Sequence, residues 1–364
     1  MQTKAIVSTK ENDFDTQDIT IDNIRDNEVL VKIVASGICP ADDLALDGTM
    51  PTPKPAVLGH EGSGIVEKVG RNITSVIPGD HVVLGFSYCG HCKNCLSGNA
   101  GACEKLIPLN FMGENINGNS PLHDHDNNDL SLFFGQSSFA YHSVVDEKNV
   151  VKVPKNADLR LLGPLGCGIM TGSGSVLNSL SPEPGSSLVI FGTGAVGLSG
   201  LMAAKIAGCT TIIAVDIHKS RLELAKELGA THTINSLEED PVEKIREITG
   251  DGANYSFETA GVDTVILQSI QCLKVKGVMA TVSVGKKDLT LNVGNEIVLK
   301  GITVKGVIEG DAIPQLFVPK LVEFYQEGLF PFDKLVKFYS FNNIAQAFED
   351  SKNGSTIKPI IVMD

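Results

Sequence analysis

The sequence predicts a two-domain α/β protein in which a β-rich first part of short strands and turns is followed by a doubly wound parallel sheet. Three observations carry this expectation. The chain has 364 residues, beyond the size at which one hydrophobic core usually stops growing. Up to about residue 150, apolar runs such as EVLVKIVASG, GSGIVEKVG and DHVVLGF are punctuated by glycine or proline at roughly ten-residue intervals, the pattern of a small barrel-like β domain. After about residue 185 the rhythm becomes strand, turn, helix, strand, as a parallel sheet with crossover helices requires.

Taken in order, SLVIF reads as a strand, GTG as a glycine turn and VGLSGLMAAKIAG as a helix. TTIIAVD is the next strand and SRLELAKELGA the next helix. NYSFETAG, VILQSIQCLKVKG and VMATVSVG continue the alternation as strand, helix and strand. After ITVKGVIEG the chain returns to mixed helices, and the strand-like KPIIVMD is expected to rejoin the first domain. The expected division is a first domain of 1–165 completed by 305–364, and a second domain of 166–304.

The net charge is −13 and no basic cluster offsets it, which argues against nucleic acid or an anionic membrane surface as partner. A long uncharged run, Pro184 to Ala204, contains GTGAVGLSG, whose glycines would break a spanning helix. No internal repeat or low-complexity tract is visible, and HDHDNNDLS reads as a polar loop. MQTKAIVSTKENDFDTQD shows neither an apolar core nor a cleavage site for export, so a cytoplasmic location is expected.

Four of the eight cysteines crowd into YCGHCKNCLSGNAGAC: Cys89, Cys92, Cys95 and Cys103. A disulfide staple fits poorly, because Cys39, Cys167, Cys209 and Cys272 are scattered singly, as reduced thiols usually are. Thiolates two residues apart can turn inward on one loop and meet an ion at about 2.3 Å, and four complete a tetrahedron with no vacancy for substrate. A structural zinc is therefore expected; an iron–sulfur centre is the other use of such a set.

The glycines Gly192, Gly194 and Gly197 of GTGAVG follow an apolar strand and open a helix. In that context the first allows a tight turn, the second lets backbone approach a pyrophosphate, and the third lets helix and strand pack closely. The helix N-terminus would face the phosphates. Val196 is assigned to the same loop. An ordinary βα turn is the bland reading. Asp216 ends the next strand, where a carboxylate accepts from an adenosine ribose and repels a 2′-phosphate, so NAD is expected over NADP. Arg221 and His218 nearby leave room for some NADP use.

Cys39 in SGICPADD, His60 and Glu61 in LGHEGSG, and Cys167 in LGCGIMTGSG are metal-ligand types. Singly each has a bland reading, a small buried hydrophobe or a satisfied core histidine. The glycines around them mark backbone that bends tightly, as a site between two domains requires.

GHEGSG, the Cys89 to Cys103 cluster, the cysteine before TGSG, and GTGAVG with its following aspartate occur in this order, and the whole chain thereby resembles the zinc-dependent medium-chain alcohol dehydrogenases. FFGQSSFAYHSVV resembles their aryl-alcohol (benzyl alcohol) branch. The resemblance implies a GroES-like catalytic domain and a Rossmann coenzyme domain, with two zinc ions per subunit. It implies a catalytic zinc on Cys39, His60 and Cys167, which Glu61 joins transiently. Asp42 is implied as the partner of the zinc histidine, Thr171 as a neighbour of the nicotinamide, Lys358 as a basic contact to the cofactor, and Phe86 with Leu44 as lining of the alcohol pocket. The implied reaction is hydride transfer between NAD and a primary, aromatic or allylic, alcohol or its aldehyde. A homodimer or homotetramer is implied as well.

Three positions depart from the family pattern. Ala41 stands where a hydroxyl passes the alcohol proton on, Leu44 where a relay histidine stands, and Pro40 where a basic residue meets the pyrophosphate. Ordered water can replace the relay at a loss of rate. The alternative is a conjugate reductase that delivers hydride to an activated double bond, although the retained ligand set argues against it. A non-catalytic NAD-binding protein is the third reading, which the intact Cys39, His60, Glu61 and Cys167 disfavour.

Overall fold

The computed structural model describes residues 1–284 and 288–363. Gly285, the last residue of the expected strand VMATVSVG, and Asp364, the last of KPIIVMD, lie outside the described residues. Two compact units are present: Met1–Gly168 with Ile313–Glu323 and Asp333–Asp364, and Ile169–Ala312 with Phe324–Phe332.

The first unit opens with β1 (Gln2–Lys10), β2 (Asp13–Ile21), β3 (Glu28–Gly37), α1 (Pro40–Leu46), β4 (Ala56–Val57), β5 (Glu61–Val69) and β6 (His81–Leu84). Short pieces follow: α2 (Lys93–Leu96), α3 (Leu106–Phe111), β7 (Leu122–His123), β8 (His142–Asp146), β9 (Val150–Val153) and α4 (Leu159–Leu162). One sheet runs β4-β1-β2-β7. The run VLV at the start of β3 is apolar throughout because both faces of the strand are covered. Leu30 joins a core with Ala5, Val7 and Ile19, while Val29 and Val31 join Val66, Val82 and Leu84.

The second unit holds α5 (Gly168–Gly174, from its second residue on), β10 (Ser187–Phe191), α6 (Ala195–Ile206), β11 (Thr211–Asp216), α7 (Lys219–Leu228), β12 (His232–Asn235), α8 (Pro241–Thr249), β13 (Ala253–Glu258), α9 (Asp263–Gln271), β14 (Leu273–Thr281) and β15 (Thr303–Gly306). Its strands are all parallel, in the order β12-β11-β10-β13-β14-β15. The chain winds outward from β10 to β12, then restarts on the other side at β13. The turn after β10 therefore lies at the point where strand order reverses, the place where such sheets bind ligands. The long uncharged run is β10, the glycine turn and the largely buried α6. Among the described residues no helix is long and apolar enough to cross a membrane.

The remaining elements are α10 (Pro314–Gln326), β16 (Val336–Ser340), α11 (Ile344–Lys352) and β17 (Lys358–Val362). β17 pairs antiparallel with β3, setting Ile360 opposite Gly37, and completes the sheet β16-β17-β3-β5-β6-β9, with β8 also on β3.

Three details differ from the expectation. VILQSIQCLKVKG is not one helix: α9 stops at Gln271, and Leu273 already pairs with Ala253 in β14. A division at 304 would cut β15 in half, because Val304 and Lys305 continue the parallel ladder opposite Met279 and Ala280. Helix α8 had a legible start that the strand-and-helix reading passed over. Pro241 stands at its first turn, and the Asp240 carboxylate accepts from the amides of Val242 and Glu243.

Candidate metal centres and nucleotide loop

Local structure brings Cys39, His60, Glu61 and Cys167 together within the first unit. Cys39 caps α1, where Pro40 fills the position that needs no donor. His60 immediately precedes β5, Glu61 begins it, and Cys167 ends the turn that follows α4. The four ligand atoms lie within 4.8 Å of one another and all four residues are buried. Gly37 has no side chain because a Cβ there would collide with the Glu61 carboxylate.

The imidazole is oriented for a ligand. The Asp42 Oδ1 accepts from His60 Nδ1 at 3.0 Å and from the Gly59 amide at 3.1 Å, while Asp42 Oδ2 accepts from the Cys39 amide at 3.0 Å. One carboxylate thus ties two of the cluster's loops. The proton fixed on Nδ1 leaves Nε2 as the free lone pair. That atom is buried and has no hydrogen-bond partner among the described residues, which a native interior tolerates where an ion completes the shell. Two sulfurs, an imidazole nitrogen and a nearby carboxylate are a zinc donor set, and the cluster fits it.

Charges reinforce the arrangement. The Cys167 hydrogen bond, then Lys358 and His60 against the opposing effect of burial, hold the Cys39 thiol well below its usual range. Burial works against a charged His60, but the carboxylate of Asp42 raises it well above an ordinary histidine. Burial raises Glu61, with Lys358 opposing.

Lys358 pairs within the first unit. Expected at the cofactor, it is buried, with Nζ 2.9 Å from each Glu61 oxygen and 3.0 Å from the Ile38 carbonyl. The same pairing engages Glu61, whose Oε1 also accepts from the Gly168 amide at 3.2 Å.

The four-cysteine set converges as well, with its sulfurs within 4.8 Å of one another. Cys92 and Cys95 sulfurs are 3.4 Å apart, and those of Cys89 and Cys95 3.9 Å; a tetrahedral zinc at about 2.3 Å from each sulfur needs a separation of about 3.8 Å. Amides of Cys89, Cys92 and Lys105 donate to sulfur at 3.3 to 3.4 Å, supporting thiolates. Backbone amides, that of Cys95 foremost, draw the Cys92 thiol down to about 6, while burial pushes Cys95 up to about 12. Among the described residues all eight cysteines are free of disulfides.

In the second unit the glycine loop has the geometry its motif requires. Gly192 has φ +89° and its amide donates to the Val215 carbonyl at 2.9 Å. Gly194 caps α6 with open space where a side chain would stand, whereas a Cβ on Gly197 would overlap the Gly192 carbonyl. Val196 lies in the first turn of α6, half-buried. Asp216 is nearly buried; its Oδ2 accepts from Thr193 N and Oγ1 at 2.7 Å each, and Oδ1 from the Ile217 and His218 amides at 2.7 and 2.9 Å. Burial opposes ionisation, but these donors, with the charge of Arg221, hold its carboxyl below the usual range. Thr171 on α5 donates to Glu309 at 3.4 Å.

Of the expected pocket residues, Phe86 is buried with its ring 5.8 Å from that of Tyr88, and Leu44 is half-buried on α1. The sequence reading missed the residues behind His60. Phe134 stacks on the imidazole with ring centroids 4.3 Å apart and 20° between planes, and Phe133 meets it edge-on at 5.3 Å. The Gln136 amide donates to the His60 carbonyl at 2.8 Å. Phe134 and Ser137 have φ of 53° and 50°, conformations that cost about 1 to 3 kcal/mol each and persist where the surroundings impose them. The signal was the quoted stretch FFGQSSFAYHSVV, used only as a likeness.

Comparison with known proteins agrees with this geometry. Residues 25–155 match the alcohol dehydrogenase GroES-like domain family and residues 195–327 the zinc-binding dehydrogenase family. Over 92% of its length the chain is 42% identical to the geraniol dehydrogenase of Castellaniella defragrans, covering 91% of that protein. Among solved structures, the benzyl alcohol dehydrogenase of Acinetobacter calcoaceticus matches with TM-score 0.96 and 47% identity, each chain covered 100%. An alcohol dehydrogenase zinc-binding domain protein from Burkholderia ambifaria matches with TM-score 0.98 and 48% identity, over 100% of this chain and 99% of that one. The chain belongs to the zinc-dependent medium-chain alcohol dehydrogenase family.

Proposed function

We propose that this protein is an NAD-linked zinc alcohol dehydrogenase that interconverts primary aromatic or allylic alcohols and their aldehydes. The observation that carries the reading is the buried cluster of Cys39, His60, Glu61 and Cys167 around a His60 Nε2 that has no hydrogen-bond partner among the described residues. The likeness to a geraniol and a benzyl alcohol dehydrogenase supports the substrate class.

Zinc, when bound, supplies Lewis-acid polarisation of the alcohol or aldehyde oxygen, and NAD supplies the hydride acceptor. Cys39, His60 and Cys167 would hold the metal, with Glu61 in reserve against Lys358. Asp42 holds the proton on His60 Nδ1 and keeps Nε2 aimed inward. Gly192, Gly194, Val196 and Gly197 would cradle the pyrophosphate, with Asp216 on the ribose, Arg221 beside it and Thr171 near the nicotinamide. Phe86 and Leu44 would line an apolar pocket. Ala41 and Leu44 carry no proton, so the proton released from the alcohol reaches solvent through water.

Cys89, Cys92, Cys95 and Cys103 would hold a second, structural zinc, and a reducing cytoplasm suits eight unpaired-by-disulfide thiols. We read the assembly as a homodimer or homotetramer. The second unit's sheet ends on β15, whose four residues are all exposed, and an open edge is a template for pairing with another copy. NADH formation from benzyl alcohol, geraniol and ethanol, with NADP in parallel, tests the reading. Turnover of the first two with NAD is expected. Reduction of an enal double bond by NADH without any alcohol oxidation would replace it with the conjugate-reductase reading.

A further inference from the structure

Asn110, Asn149 and Gln136 are each 1% exposed, and no part of the proposed chemistry uses them. Buried amides are costly unless their donors and acceptors are met, so the destinations of their bonds matter. Asn110 lies on α3, just beyond Cys103. Its Oδ1 accepts from the Ser87 amide at 2.8 Å, and its Nδ2 donates to the Ser87 and Leu106 carbonyls at 2.9 and 2.7 Å. Ser87 stands just before Cys89, so this one amide sews together the two ends of the four-cysteine lobe.

From there the bonds run to His60. The Asn110 carbonyl accepts from the Phe134 amide at 2.8 Å. Asn149 Nδ2 reaches Ser87 Oγ and the Gly85 carbonyl at 2.9 Å, and the Phe134 carbonyl at 3.2 Å. Gln136 Nε2 reaches the Gly85 carbonyl at 3.3 Å and the His60 carbonyl at 2.8 Å, while its Oε1 accepts from the Gly62 amide at 3.2 Å. A line of rings runs beside it: Phe111, next to Asn110, meets Phe134 edge-on at 5.1 Å, and Phe134 stacks on His60.

We infer that Asn110, Asn149 and Gln136 are positioning residues that couple the two metal centres, so that an ordered four-cysteine lobe holds His60 in its metal-binding pose. The inference rests on the zinc reading above. Its physical basis is that the imidazole is fixed in front by Asp42, behind by Phe134 and at its backbone by Gln136. The last two are anchored to the segments on either side of the cysteine lobe. Partners one shell out from a metal commonly change its affinity by about 10- to 100-fold.

The test loads the full chain with cobalt(II) at both centres and challenges it with a chelator. The visible bands of an all-sulfur and a sulfur–nitrogen centre differ, so each loss is followed separately. In the unaltered protein, loss from the sulfur–nitrogen centre is expected to accelerate once the all-sulfur centre has emptied. Asn110→Ala and Gln136→Leu are each expected to speed that loss by about tenfold or more, and the double variant no more than the larger single effect. Ile19→Val, a core change in the β4-β1-β2-β7 sheet, is expected to leave it unchanged. Independent release of the two ions, or effects of the two variants that multiply, would overturn the coupling alone. Uptake of fewer than two ions per chain would overturn both the coupling and the metal reading beneath it.

Discussion

His60 is fully buried, yet its Nε2 meets no hydrogen-bond partner at bonding geometry among the described residues, and the side chains around it are arranged to keep that atom available. Removing Asp42 leaves the Nδ1 proton buried and unmet and frees the ring to turn. Asp42→Ala is expected to weaken zinc retention at this site by about 10- to 100-fold, read by zinc content after dialysis against a chelator. Ala41 invites the opposite change. If water relays the alcohol proton poorly, Ala41→Ser should raise kcat near neutral pH by at least about tenfold and flatten its rise with pH. An unchanged pH–rate profile would show that the relay does not limit turnover. Asp43, next along α1, offers a test in stability. Burial, then the charge of Asp42, raises its carboxyl from 3.8 to about 6. The folded chain then takes up this proton at higher pH than the unfolded chain, so stability is fullest below 3.8 and falls as pH rises through about 6. Asp43→Asn is expected to stabilise the protein at neutral pH by about 1 kcal/mol, after discounting for solvent screening. Thermal melts should show no gain near the acid end; an equal gain at both ends would contradict the cause given.

Among the elements, the glycine turn and α6 were legible because each glycine has a separate mechanical duty. Gly197 is the strictest, and Gly197→Val is expected to push helix from strand, weakening NAD binding by at least about tenfold and costing about 1 to 3 kcal/mol of stability. Titration of NAD against the variant and a melt check both. The end of α9 was illegible for a physical reason: buried Cys272 and Leu273 follow directly on the apolar positions of the helix, and periodicity alone does not say where helix gives way to strand. β15 shows no inward-facing alternation because all four of its residues are exposed. If its edge pairs with a second copy, Val304→Lys should shift the protein to smaller species by light scattering, while an unchanged mass would place the assembly elsewhere.

At the scale of the molecule, the sequence disclosed those parts of the sites whose chemistry lies in residue type and spacing. The four-cysteine run could be read from its spacing, and the set of Cys39, His60, Glu61 and Cys167, which the structure brings together, from glycine-flanked ligand types and the family resemblance. The pairing of Lys358 with Glu61 could not be read that way, since the two lie 297 positions apart and meet only because β17 returns to β3. The rings and amides behind His60 were hidden for the same reason, as Phe and Gln carry no chemical signature until the fold presses them against a ligand. The central claim is that the buried cluster activates an alcohol for hydride transfer to NAD without a side-chain proton relay. It is tested most directly by NADH formation from benzyl alcohol, in protein holding two zinc ions per chain, from mildly acidic to strongly alkaline pH. Turnover that climbs steadily with pH is the predicted result. No turnover at any pH, with both zinc ions in place, would contradict it.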